Sequence, residues 1–159
     1  MGRRLFKELE RSYGFDEVAI VPGQVTINPE LTSTKMTIGD LEFEIPIMAS
    51  AMDGAVSPGF ASYMHEMGGL GVLNAEGLYS RYEDPYSVLE EIISCPQESV
   101  TEFLQKVYSE PIREELIGQR VREIKNTGAT CAVSFTPQNT KRMSPAAVEA
   151  GADMIVVQS

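Results

Sequence analysis

The spacing of hydrophobic positions changes at Ile45, and that change divides the sequence. In the stretch TKMTIGDLEFEIP, Met36 and Ile38 alternate with polar residues, and Leu41, Phe43 and Ile45 do the same beyond Gly39-Asp40. Period two on both sides of a glycine-containing turn predicts a β-hairpin. From Ile45 the alternation stops. IPIMASA, 45–51, is almost continuously apolar, the composition of a strand covered on both faces. Leu70 to Asn74, CAVSF at 131–135 and MIVVQ at 154–158 have the same character. Upstream, DEVAIVP at 16–22 is a short apolar segment closed by a Pro22-Gly23 turn.

Between these runs the period is helical. Ser57-Pro58 is a helix start, with serine as cap and proline in the first turn. Phe60, Met64 and Met67 then predict one apolar face, and Gly68-Gly69 a stop. Asp84-Pro85 opens a second helix with Val88, Leu89, Ile92 and Ile93, interrupted by Pro96. Val100, Phe103, Leu104 and Val107 mark a third face. Leu116, Val121 and Ile124 mark a fourth, ending at Thr127-Gly128, and a last helix is predicted over about 139–150, closed by Gly151. A hairpin followed by β-α-β-α-β-α-β with apolar strands is the pattern of parallel βα units. An open doubly wound sheet and part of a (βα)8 barrel both satisfy it.

Composition narrows the chemistry. The chain has 159 residues, with 13 Lys and Arg against 23 Asp and Glu, a formal charge of −10. That balance argues against nucleic acid and anionic membrane as partners, since both select for Lys and Arg. No apolar run approaches the ~20 residues that span a bilayer. The N-terminal MGRRLFKELE has arginines but no apolar stretch after them, unlike a secretory signal. Cys95 and Cys131 are isolated, which predicts reduced thiols in a cytoplasmic protein and no zinc spacing. With His65 as the single histidine, a multi-histidine metal site within this chain is close to excluded.

The segment EIPIMASAMDGAVSPGFASYMHEMGGLGVLN carries a family resemblance. A strand ends in Ser50-Ala51-Met52-Asp53, a helix follows, and a strand opens with Gly68-Gly69-Leu70-Gly71. This order resembles the start of the barrel in IMP dehydrogenases and GMP reductases. FDEVAIVPG resembles the family's approach to the barrel, and GATCAVSFTPQNT and EAGADMIVVQS resemble its third and fourth strands. The stretches RYEDPYSVLEEI and SEPIREELIGQRVREIK are similar to a branch of IMP dehydrogenase-related proteins without the paired regulatory CBS domains.

The resemblance implies the N-terminal half of a (βα)8 TIM barrel, about four parallel strands at 45–159, after an extension and hairpin at 1–44. A whole barrel takes ~250 residues. It implies an oxidoreductase that oxidises IMP to XMP with NAD, NADP being the alternative cofactor, or a GMP reductase. It also implies a purine nucleotide partner and a homotetramer in full-length relatives. The nucleophilic cysteine of that family follows the sixth strand, so it is expected beyond Ser159, and the chain alone is expected to be inactive. The loop for a monovalent cation lies beyond this chain too. Ser50, Met52 and Asn74 would contact the nucleotide. Thr136, Gln158 and Ser159 would border the cofactor. Gln158 stands where IMP dehydrogenases have an aspartate.

Blander readings compete for each position. Ser50 and Met52 also fit a polar loop end beside a core methionine, and Asn74, Glu76 and Gln158 also fit strand-end turns. Cys131 reads as a small core residue and His65 as a surface histidine. Cys95 reads as a thiol at a helix start. Tight strand–helix packing accounts for Gly68 to Gly71, and Glu83-Asp84 and Glu114-Glu115 suit helix starts. Two further functions stay open: a half-barrel acting only as an association module, and a small-ligand-binding open α/β domain.

Overall fold

The structure is a computed structural model and describes residues 11–158. Packing divides the chain after Ser33. The hairpin expected to group with the extension therefore belongs with the sheet. In the N-terminal unit the apolar run 16–22 forms no strand. Val18, Ile20 and Val21 are exposed, and a short 3-10 turn, Pro29–Leu31, is capped by the Asn28 side chain.

The second unit opens with the predicted hairpin, β1 (Met36–Ile38) and β2 (Leu41–Phe43), in antiparallel register with Met36 opposite Phe43. Gly39 turns it at φ 60°, where a side chain would be strained. Four parallel strands follow: β3 (Met48–Ala49), β4 (Leu70–Asn74), β5 (Ala132–Phe135) and β6 (Met154–Val157). They lie side by side in chain order.

That order decides between the two architectures. A doubly wound sheet reverses its order and puts helices on both faces. Here α1 (Pro58–Glu66), α4 (Glu114–Lys125) and α5 (Pro137–Glu149) pack against one another as neighbours. Their buried side chains Ala61, Ile117, Val121, Ile124, Met143 and Ala147 form one core with the outward strand residues Leu73, Val133 and Phe135. Helices on one face of a sheet that never reverses make a sector of a (βα)8 barrel, four strands of it, preceded by a hairpin.

The opposite, inward face holds a smaller core. Leu70, Val72 and Ala132 pack there with Phe43 of the hairpin, joined by Met36, Leu41, Met154 and Val156. The Ile45 amide donates to the Gly68 carbonyl at 3.1 Å, which fixes the hairpin to the amino ends of the strands. The inward face is thus closed at that end and open at the carboxyl end.

Of its predicted face, helix α1 buries only Met64, and that one in part. Phe60 and Met67 are exposed, and the helix presents Pro58, Ala61 and Ser62 instead. The cause is a close approach to β4. A Cβ on Gly71 would lie 2.7 Å from the Ala61 Cα, so small residues set the spacing and large ones are turned aside. The expected role of the glycine cluster in tight packing holds. Gly68, at φ 83°, ends the helix.

Between β4 and α4 the chain forms a helical hairpin, α2 (Pro85–Ser94) and α3 (Val100–Ser109). It is lightly packed: Pro85 and Val107 are its only fully buried residues. Cys95 follows the carboxyl end of α2, not a helix start as expected. Asp84 caps α2 through the Ser87 amide, and Glu114 and Glu115 sit in the first turn of α4, as their sequence positions suggested.

Candidate functional site

Strand alternation sets which residues reach the open end of the inward face. Successive side chains point to opposite faces. Leu70, Val72, Ala132, Met154 and Val156 are inward. Asn74 lies opposite Ser134 in the β4–β5 register, and Ser134 lies opposite Val156. The β5–β6 ladder runs one bond further, from the Gln158 amide to the Phe135 carbonyl at 3.0 Å. On this alternation Ser50, Asn74, Thr136 and Gln158 all carry inward parity at the carboxyl ends of four adjacent strands. That end is where barrel enzymes build their sites.

Each strand-end side chain has a distinct state. Ser50, Met52 and Gln158 are exposed, Met52 to 58%. Asn74 is half-buried, and its Oδ1 accepts from the Glu76 amide at 3.0 Å. Its carbonyl oxygen is thereby occupied, and its N–H2 remains a donor. The amide and hydroxyl of Thr136 both donate to Glu76 Oε1, at 2.6 and 2.9 Å. Asn139 Nδ2 donates to Glu76 Oε2 at 2.8 Å. Burial alone pushes the Glu76 carboxyl up, but the bonds from Asn139 and Thr136 outweigh it and hold the group below its ordinary value. Glu76 is therefore a brace between the loops after β4 and β5. Ser159 lies outside the described residues.

Asp53, in the loop after β3, is the second carboxylate of the rim. It is buried, at 8% exposure. Its Oδ2 accepts from the Leu78 amide at 3.1 Å and from the Tyr108 hydroxyl at 2.7 Å, while Oδ1 has no partner among the described residues. Burial pushes its pKa up against the pull of Tyr108, Leu78 and Arg81. Tyr108 itself is raised, first by burial and then by Asp53. Gly77 makes the slot: a Cβ there would collide with the Asp53 carboxylate.

Arg81 joins the two carboxylate centres. Its Nε donates to the Glu76 carbonyl at 3.2 Å, its Nη1 bonds the Glu110 carbonyl, and its guanidinium lies 5.9 Å from the Tyr108 ring centroid. Behind it, buried Arg120 of α4 fastens the segment after β4. Its Nε donates to the Tyr79 carbonyl at 3.0 Å, and Nη2 to the Tyr82 and Glu83 carbonyls at 3.2 and 2.7 Å.

Sequence reasoning singled out the strand ends and missed the network that braces them. Tyr108, Arg81, Asn139 and Arg120 gave no local signal, because their partners lie far away in the chain. Gly77, directly after Asn74-Ala75-Glu76, was the one available clue to a tight approach. The remaining assignments fall outside the rim. Cys131 is fully buried at the start of β5, its thiol pushed up to about 12 by burial and then by Asp153. His65 is exposed, with Nδ1 accepting from the Thr130 amide at 3.3 Å. A groove of about 500 Å3 between the β3–α1 loop and α2 is lined by Asp53, Ser57, Phe60, Tyr79 and Tyr86 among others, but by none of the inward strand ends. Among the described residues no cluster of three His, Cys, Asp or Glu side chains is placed to hold a metal, and no helix is long and apolar enough to cross a membrane.

A barrel sector with its polar strand ends gathered at the carboxyl rim places the chain among βα-barrel proteins, the class in which ligand sites are built from successive βα loops. The chain belongs to the IMP dehydrogenase / GMP reductase domain family, whose model matches residues 12–159. It is 37% identical over 153 residues to an uncharacterised oxidoreductase of Mycolicibacterium smegmatis, a match covering 93% of this chain and 41% of the relative. An inosine-5'-monophosphate dehydrogenase of Methanocaldococcus jannaschii is 33% identical over 67 residues, 42% of this chain and 14% of that protein. The crystal structure of an IMP dehydrogenase/GMP reductase-like protein from Corynebacterium glutamicum superposes with a TM-score of 0.85 and 32% identity, covering 96% of this chain and 42% of that one. The chain thus spans about 41% of the length of the oxidoreductases it matches along most of its length.

Proposed function

We propose that this chain forms the nucleotide floor and one side of the cofactor groove of an NAD-dependent oxidoreductase that oxidises IMP to XMP. The observation that carries this reading is the convergence of Ser50, Asn74, Thr136 and Gln158 on one rim, with Met52 exposed beside them. Ser50 offers a hydroxyl, and Asn74 an amide N–H2 whose orientation Glu76 fixes. Met52 offers a polarisable thioether to the flat face of a purine. Thr136 and Gln158 lie at adjacent strand ends and are uncharged; the Thr136 hydroxyl, whose proton goes to Glu76, is left as an acceptor, and the Gln158 amide can both give and take hydrogen bonds. That set fits the ribose hydroxyls and carboxamide of a nicotinamide cofactor. When bound, NAD supplies the acceptor for the hydride lost from the purine C2.

The covalent step needs a thiolate. In this reading it comes from a cysteine outside these 159 residues and would add to C2; loss of the C2 hydride to the acceptor would leave a thioimidate, which water hydrolyses to the oxidised purine and the free thiol. Cys131 is excluded by complete burial and its raised pKa. The assembled protein would be cytoplasmic. A GMP reductase is the second reading, because the family model that matches the chain covers both activities.

Calorimetric titration of the protein with IMP and GMP tests the site. Binding of either, weakened by Ser50→Ala and Asn74→Ala, supports a purine nucleotide floor. No binding of either overturns it. The 159-residue chain with IMP and NAD should give no rise in NADH absorbance, and a continuous rise would overturn the placement of the nucleophile.

A further inference from the structure

We propose that Tyr108 is a positioning residue: its hydroxyl, bonded to buried Asp53, fixes the Ser50–Asp53 loop and makes the helical hairpin α2–α3 part of the nucleotide site. This rests on the reading of Ser50 and Met52 as nucleotide contacts.

The hairpin meets the barrel through both helices: Pro85 of α2 is buried, Tyr86 lies edge-on to Tyr79 and Leu89 packs on the main core, while the end of α3 makes the polar contacts. Val107 is the buried residue of α3, its carbonyl accepts from the Tyr82 hydroxyl at 2.9 Å, and the Glu110 carbonyl accepts from Arg81. Farther along, Ile93 of α2 is 82% exposed. Tyr108 sits among those polar contacts and reaches Asp53, 55 positions away in sequence. Asp53 has few alternatives. Leu78 supplies its other donor, Oδ1 has none, and Gly77 leaves it in a slot shaped for a carboxylate. Without the Tyr108 hydroxyl a buried carboxylate keeps a single hydrogen bond, and the loop carrying Ser50 and Met52 loses its link to the hairpin.

The same turn of chain touches the neighbouring loop. Arg81 contacts the Tyr108 ring and holds the Glu76 carbonyl, and the Glu76 carboxylate holds Thr136 and Asn139. A shift at the end of α3 therefore reaches the loops after β3, β4 and β5 together. The titratable and charged groups facing Asp53 are Tyr108 from α3, Tyr79 from the turn after β4, and Arg81, with Glu76 one step beyond.

The test compares the protein with Tyr108→Phe and Asp53→Asn. Tyr108→Phe keeps the ring and removes the hydroxyl. Nucleotide Kd is measured by calorimetry from about pH 5 to pH 8, and backbone hydrogen exchange is followed at residues 50–56 and 107–110. The expected result for Tyr108→Phe is binding weaker by about tenfold, the order set by one hydrogen bond to a charged group. Its acid limb should move to higher pH, since a lost donor raises the carboxyl pKa, and amides 50–56 should exchange faster. Asp53→Asn should lose that acid limb and speed exchange at 107–110. Unchanged affinity, pH profile and exchange in Tyr108→Phe would overturn the proposal, and so would unchanged exchange at 107–110 in Asp53→Asn. If the unaltered protein binds no nucleotide, the functional reading fails, while the two exchange comparisons still decide whether Tyr108 positions the loop.

Discussion

Two carboxylates at the rim have opposite electrostatic states, and this gives a pH prediction. Asp53 is buried with one oxygen unpartnered, so its pKa is raised above 3.8. The unfolded chain ionises first, so the stability this group contributes is complete below that value and declines as pH rises through the folded one. Glu76 is held below 4.5 by three donors. Its contribution is complete above 4.5 and is lost as pH falls through its folded value. Urea unfolding from about pH 3 to pH 8 separates them: Asp53→Asn should compare best with the unaltered protein at neutral pH, and the deficit of Glu76→Gln should shrink in acid. Parallel pH curves for all three would sink the assignment. Gly77→Ala is expected to cost about 2–3 kcal/mol by overpacking the Asp53 slot. Much of that loss should be recovered in Gly77→Ala with Asp53→Ala, since the collision is with the carboxylate. A purely additive double variant would show that the slot is not the cause.

At the scale of elements, Arg120 is the pin that holds the segment after β4 to the barrel. It is 6% exposed and serves three backbone carbonyls, with Glu123 on Nη1 at 2.6 Å. Arg120→Met should cost about 3 kcal/mol, because the carbonyls and Glu123 lose their donor inside the protein. Arg120→Lys should fail to restore it, since one ammonium cannot reproduce the planar fork. A urea midpoint for Arg120→Lys equal to that of the unaltered protein would contradict this. The helices show why element existence was easier to read than element faces. Proline and cap signals placed α1 and α2 closely, while α5, set only by its closing Gly151, opens at Pro137 instead of about 139. The face of α1 depended on Gly71 in another element. Phe60 and Met67 look like core residues from within the helix and are turned outward by a neighbour the helix cannot see.

At the scale of the whole molecule, the sheet leaves two edges among the described residues, at β3 and β6, with Met48 43% and Val157 55% exposed. Unpaired edges of this kind template further pairing. The 159-residue chain should therefore self-associate, and light scattering showing a monodisperse monomer would contradict that. Apolar period, caps and glycine stops determined by themselves that the chain is a hairpin followed by βα units. They also marked the strand ends, because alternation carries a strand's inward parity to its last residue. Tertiary structure alone decided between a doubly wound sheet and a barrel sector, since chain order does not encode which face each helix covers. It alone brought Tyr108 and Asp53 together with Gly77, and Glu76 with Thr136 and Asn139. Hydrogen bonds between residues tens of positions apart leave no period in a sequence, whereas burial repeated along one element does.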